Sequence, residues 1–341
     1  MRAIVYAEKG PSSVMRLVER PVPEPGPGQV RVRLVRAGVN PTDWKARAGV
    51  TAPMGFAEVT PGQDGAGYVD ALGTDAPGLA EGDRVWVYLG QHGLPFGTAA
   101  EYCVLDWHRV VRLPDSVPDE EAFDLGASLG VPAVTAHRAL TSGRWNSRLG
   151  PGSMTGQLVL VQGGAGAVGN AAIQLAAWSG ATVLTTVSSA EKAALATAAG
   201  ARHVINYRTE DVAAAVRGLA PDGVDLIAEV SPAVNNELDI AVAANGATIA
   251  IYANNGGDAF SVDIRRTFSL NLRYQFLLLY TLDPALLAAA AEDITAAVAA
   301  GALRVGQKAG LPLHHYPLAT AAEAHDAVER GAVGKVLLDI A

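Results

Sequence analysis

The hydrophobic positions follow two rhythms. Up to about residue 130 they come in short β-branched runs. In "QVRVRLVRAGV" (29–39), Val30, Val32 and Leu34 alternate with Arg31 and Arg33, and "DRVWVYLG" (83–90) is a second such run. Turn-rich stretches such as "PVPEPGPG" (21–28) and "GTDAPGLAEGD" (73–83) separate them. This pattern predicts a compact, mostly β region with irregular connections. From about residue 155 the runs become continuous: "LVLVQG", "ATVLTTV", "ARHVINY", "VDLIAEVS" and "ATIAIYA". Ala-rich segments with helical spacing lie between them, at 167–179, 189–199, 209–219 and 233–244. Short apolar strands alternating with helices predict a parallel sheet with crossover helices.

The tail changes again. Phe268, Leu270, Leu272, Tyr274 and Phe276 alternate with Ser269, Asn271, Arg273 and Gln275, which predicts a half-covered strand over 268–276. An Ala-rich helix to about 299 and a final strand in "GKVLLDI" (334–340) complete the chain.

Composition narrows the function classes. Half of the 341 residues are hydrophobic and 18% are charged, enough for a substantial core. A net charge of −8 argues against a nucleic-acid partner. The most membrane-like stretch is broken by Asp283, Pro284, Glu292 and Asp293, so a soluble chain without a leader segment is expected. Cys103 is the single cysteine, which rules out an internal disulfide and points to a cytoplasmic setting.

The clearest chemical signal is "QLVLVQGGAGAVGNAAIQLAAWSG" (157–180). Gly164, Gly166 and Gly169 form a GxGxxG between a predicted strand and a predicted helix, the context such a motif needs to bind a dinucleotide. Gly164 permits the tight turn, Gly166 lets backbone approach a pyrophosphate, and Gly169 lets the helix lie close to the strand. The N–H groups of Ala167, Val168 and their neighbours then face the anion at the helix N-terminus. The second strand ends in "TTVSSAEKAAL", with Ser188 and Lys192 where NAD binders commonly carry an acidic residue. The absence of a repelling carboxylate favours NADPH over NADH. Ser188 and Glu191 also suit a helix capping box.

On its ordered motifs the chain resembles the medium-chain dehydrogenase/reductases, in particular their zinc-independent, zeta-crystallin-like quinone oxidoreductase branch. The motifs are "AGVNPTDWKARAG" (37–49), "TPGQDGAGYVDALG" (60–73), "EGDRVWV" (81–87), "GTAAEY" (97–102), "GVPAVTAHRAL" (130–140), "QGGAGAVGNAAIQLA" (162–176), "INYRTED" (205–211) and "GKVLLDI". The resemblance implies an α/β protein. A GroES-like β-rich catalytic domain from residues 1–130 and 281–341 would flank an inserted Rossmann doubly wound parallel-sheet domain over 131–280, with the active cleft between them. It places Gly166, Val168, Ser188, Lys192 and Tyr207 at the cofactor, Thr135 and Tyr252 near the nicotinamide, and Lys335 near the phosphates. Asn40 and Asp43 would line the substrate cleft. Lys45 is a further candidate there, for binding an anionic acceptor or protonating an enolate.

The zinc ligands of the alcohol dehydrogenase branch are not where they would be needed. "AGVNPTD" has no cysteine and "PGQD" puts Gln63 where that branch has histidine. His314 and His315 are adjacent and read as a surface turn. No metal site is expected. Without a Lewis acid the chemistry that fits is hydride transfer to an acceptor that is already electron-poor, a quinone or an α,β-unsaturated carbonyl. An enoyl-thioester or specialised-metabolite enone reductase is the alternative enzyme, and a structural or regulatory NADPH-binding protein the non-enzymatic one. The apolar face of 268–276 suggests pairing with a second copy in a homodimer.

Overall fold

The computed structural model describes residues 1–340 apart from 52 and 145. The chain forms two compact units, one of residues 132–311 and one of residues 1–131 together with 312–341.

The contiguous unit holds a six-stranded sheet: β1 (Leu158–Gln162), β2 (Thr182–Val187), β3 (His203–Asn206), β4 (Val224–Glu229), β5 (Ala243–Ile251) and β6 (Arg273–Phe276). All pairings are parallel, in the order β3-β2-β1-β4-β5-β6. Helices Ala167–Trp178, Ala190–Ala198, Val212–Leu219 and Pro232–Val242 make the successive crossovers. This is the Rossmann order, whose ligand crevice opens at the carboxyl ends of the first and fourth strands. Val159, Leu160 and Val161 are completely buried, as a strand covered on both faces requires.

In the discontinuous unit, strand Gln29–Val39 is the spine. It pairs with Asp64–Leu72, Tyr102–Asp106 and Lys335–Asp339, all antiparallel. Val30, Val32 and Leu34 point into the core, as their alternation predicts. The last strand of the chain thus completes a sheet begun near its start, which is the GroES-like architecture expected.

Three expectations are corrected. The contiguous unit continues to residue 311 rather than ending at 280. The cause is helix Pro284–Ala299: its Asp293 accepts hydrogen bonds from His137 (2.8 Å), Arg148 (2.6 Å) and the Leu149 N–H (2.7 Å), all residues of this unit. The alternating segment 268–276 is strand only over Arg273–Phe276. Before it, Asp263 caps a short helix, Ile264–Ser269, by accepting from the Arg266 N–H, and Asn271 turns the chain with a φ of 50°. A local cap thus overrides the period-two pattern. His314 and His315 lie in a strand, Leu313–Pro317, paired in parallel with Lys335–Asp339, not in a turn.

Candidate functional site

The glycine turn joins β1 to helix Ala167–Trp178, with Gly166 as its extended N-cap. A Cβ on Gly164 would lie 2.1 Å from Thr185 Oγ1, and one on Gly169 would lie 2.4 Å from the Gly163 carbonyl oxygen. Neither space exists, so both positions demand glycine. At Gly166 the situation is reversed. The residue is exposed, and a Cβ there would meet nothing closer than 3.5 Å. Side-chain-free backbone there faces open space beside a helix N-terminus, the cradle an anionic pyrophosphate requires.

Three of the expected cofactor residues follow the carboxyl ends of β2 and β3, the strands next in order to β1. Ser188 follows β2, and its Oγ accepts from Lys192 Nζ at 3.1 Å. Tyr207 is exposed, and its N–H donates to the Val187 carbonyl at 3.0 Å. The helix cap itself is Ser189, accepting from the Lys192 N–H, so Ser188 is left to Lys192. Thr135 is half-buried on helix Gly130–Leu140. Tyr252 follows β5 and donates its N–H to the Glu229 carbonyl. Burial, then the charge of Glu229, pushes its phenol pKa up.

Beneath the crevice runs a buried polar chain that residue-by-residue reading missed. Gln162 ends β1; its amide donates to Asp239 Oδ1 (3.0 Å) and accepts from Thr186 Oγ1 (2.6 Å). Thr186 Oγ1 accepts in turn from the Gly163 N–H at 3.3 Å. Glu229, at the end of β4, accepts from the Ser231 N–H and the Asn235 amide. Glu229 and Asp239 are both completely buried. The available signal was two acids inside apolar runs, "LIAEVS" and "NELDIAV", each more simply read as a strand end or a solvated helix face.

In the other unit the predicted substrate residues form a second buried network. Asn40 Nδ2 donates to Asp64 Oδ2 at 2.7 Å, and Lys335 Nζ donates to Asn40 Oδ1 (2.7 Å) and Asp64 Oδ2 (2.9 Å). Asp64 Oδ1 accepts from the Val131 N–H, and Asp43 accepts from the Asn40 N–H, both at 2.7 Å. Lys335, expected at the phosphates, is instead 2% exposed with its ammonium spent on this cluster. The cause is charge: a carboxylate as deeply buried as Asp64 needs a cation beside it. Asn40 and Asp43 are likewise turned inward. Burial, then the charge of Asp64, pushes the Asp43 carboxyl up to about 7. Lys45 is half-buried on the same helix, Pro41–Ala48.

Comparison with known proteins decides the family. Residues 26–115 match the alcohol dehydrogenase GroES-like domain and residues 167–296 the zinc-binding dehydrogenase domain. The chain is 30% identical to the quinone oxidoreductase of Lama guanicoe, over 99% of this chain and 97% of that protein. The chain belongs to the medium-chain dehydrogenase/reductases. Among solved members of this family, a mycobacterial protein complexed with NADPH is similar, at 31% identity and a TM-score of 0.81 over 99% of both chains. An NAD-dependent alcohol dehydrogenase is similar too, at 30% identity and a TM-score of 0.83 over 100% of both.

The second matched domain is a zinc-binding dehydrogenase domain, which raises the question of whether this chain's side chains suit zinc. Among the described residues no group of three or more His, Cys, Asp or Glu side chains could hold a metal ion. Gln63, 6% exposed, donates its amide to Gln91 and leaves its Oε1 without a partner among the described residues, a single weak ligand atom. Cys103 lies in a core strand, and burial pushes its thiol up to about 12, far from the thiolate that zinc needs. The polar cluster around Asp64 already holds the Lys335 ammonium. These residues do not fit a zinc ion.

Proposed function

We propose that the protein is an NADPH-dependent, metal-free reductase that delivers hydride to quinones or α,β-unsaturated carbonyls. The observation that carries this reading is the pairing of an open glycine turn with a Ser188–Lys192 contact, in place of a carboxylate, at the end of the neighbouring strand. The backbone at Gly166, Ala167 and Val168 would hold the pyrophosphate, and Ser188 and Lys192 the 2′-phosphate, with Tyr207 beside the adenosine. Thr135 and Tyr252 would frame the nicotinamide. When bound, NADPH supplies a hydride. The relatives' printed names and the NADPH-complexed mycobacterial structure support the same cofactor and acceptor class.

A conjugated acceptor needs alignment more than acid catalysis, because its carbonyl system already draws electrons. The acceptor side would be shaped by the Asn40–Asp43–Asp64–Lys335 network, which fixes the start of helix Pro41–Ala48 rather than giving or taking a proton. Lys45 on that helix is the group that would meet an anionic acceptor. We further assign the protein to the cytoplasm and to a homodimer formed through the β6 edge.

The test mixes purified protein with NADPH and a panel of quinones, enones and enoyl thioesters. NADPH oxidation with quinones or enones, unaffected by chelator, is expected. In Lys192→Ala the Kd for NADPH should rise about tenfold, in keeping with one lost charge-assisted hydrogen bond, while that for NADH stays put. Turnover confined to thioesters would move the assignment to that class, and binding without turnover would make the protein non-enzymatic.

A further inference from the structure

The proposed reaction leaves unused the most deeply buried pair of acids in the contiguous unit. Glu229 and Asp239 approach from β4 and from helix Pro232–Val242, and both are fully shielded from solvent. Among the described residues the hydrogen-bond donors to this pair from outside it are neutral: the Val230 and Ser231 N–H groups and the Asn235 and Gln162 amides. Asp239 Oδ2 receives no hydrogen bond from any of them. Two buried carboxylates side by side without a cation cannot both be ionised, since burial and like charge both oppose it. Burial pushes Glu229 up, and burial followed by the charge of Glu229 pushes Asp239 well up.

We propose that Glu229 and Asp239 are positioning residues for the dinucleotide: they share one proton, and the Asp239–Gln162–Thr186–Gly163 chain ties that proton to the glycine turn. The chain is geometrically continuous. Asp239 fixes which end of the Gln162 amide faces it, so the carbonyl end of that amide must accept from Thr186. Thr186 then receives two N–H groups of the turn, Gly163 at its hydroxyl and Gly164 at its carbonyl. Loss of the shared proton places a second negative charge beneath a turn that must receive a pyrophosphate. Binding of the dinucleotide and retention of the proton therefore favour one another.

Other titratable and charged groups around the pair are accounted for. Tyr252 from β5 and Tyr274 from β6 face it as phenols whose pKa values burial raises, so both stay neutral across the working range. Glu237 on the same helix is exposed and paired with Arg266. Arg217, on the packed helix Val212–Leu219, donates to the Ala241 and Ala243 carbonyls.

The inference rests on the reading that the glycine turn binds NADPH, and the experiment separates the two. NADPH affinity is measured by fluorescence titration across the pH range over which both proteins stay folded, for the wild type and for Asp239→Asn. Asparagine can still accept from Gln162 and can donate to Glu229, which fixes the pair at a single negative charge. The 2′-phosphate titrates identically with both proteins, so the ratio of the two Kd values isolates the pair. That ratio should rise with pH, by up to about tenfold per unit, the limit for one linked proton. A ratio constant across the range overturns the inference while leaving NADPH binding intact. Failure of the wild type to bind NADPH at any pH overturns the dinucleotide reading and the inference with it. Should Asp239→Asn not fold, infrared spectroscopy decides. Measured in an Asp43→Asn background, which removes the other raised carboxyl, a protonated-carboxyl stretch at neutral pH that shifts when NADPH is added supports the proposal, and its absence overturns it.

Discussion

At Asp43 the carboxyl titrates near 7 in the folded chain, because burial and then the neighbouring Asp64 oppose its ionisation. Unfolded, the same carboxyl titrates at about 4. Between these values the folded form binds the extra proton, so this residue's contribution to stability is present below about pH 4 and lost as pH rises through about 7. Asp43→Asn can still accept from the Asn40 N–H and removes the titration. Its denaturant midpoint should therefore fall less than that of the wild type between pH 5 and 8, and parallel curves would refute this account. The episode also marks how far single residues could be read. Ser188, Lys192 and Tyr207 stand at set distances from a local motif, so the sequence alone can nominate them for the cofactor. The partners of Lys335, Asn40 and Asp64, lie 295 and 271 residues away along the chain, where no local motif points to them. Periodicity says that a residue is buried; it says nothing about which distant charge requires it.

Among the elements, continuous apolar runs translated directly into β1 to β5, because strands covered on both faces carry no competing polar pattern. The 268–276 segment failed for the opposite reason. Its alternation was genuine, but the Asp263 cap and the left-handed Asn271 are local devices that outweigh a weak periodic signal. The strand-to-helix turn after β1 leaves no room for side chains at Gly164 and Gly169, and it supplies its own test. Gly169→Ala forces a methyl to 2.4 Å from the Gly163 carbonyl oxygen, so the turn has to open. The substitution should cost about 1–3 kcal/mol of stability, typical of overpacking, and weaken NADPH binding. Thermal unfolding and titration on the same sample check both.

For the molecule as a whole, β6 pairs only with β5 within its sheet, leaving its other edge unpaired by any strand among the described residues. Around it Ile264, Phe268, Phe276 and Leu278 are between 56% and 75% exposed. Such a patch at a sheet edge suits a second copy of the chain. Light scattering at micromolar concentration should give a dimer mass, and Phe276→Asp with Ile264→Asp a monomer; a monomeric wild type would end the proposal. The two units also differ in when they can be completed during synthesis. Residues 132–311 hold every strand of the six-stranded sheet, whereas strand Gln29–Val39 acquires its neighbour Lys335–Asp339 only after that whole unit has been made. The same tail brings the ammonium that Asp64 needs. A nascent chain on the ribosome thus carries a complete six-stranded sheet while strand Gln29–Val39 still waits, with an edge and a buried acid uncovered, for the segment around Lys335 to emerge.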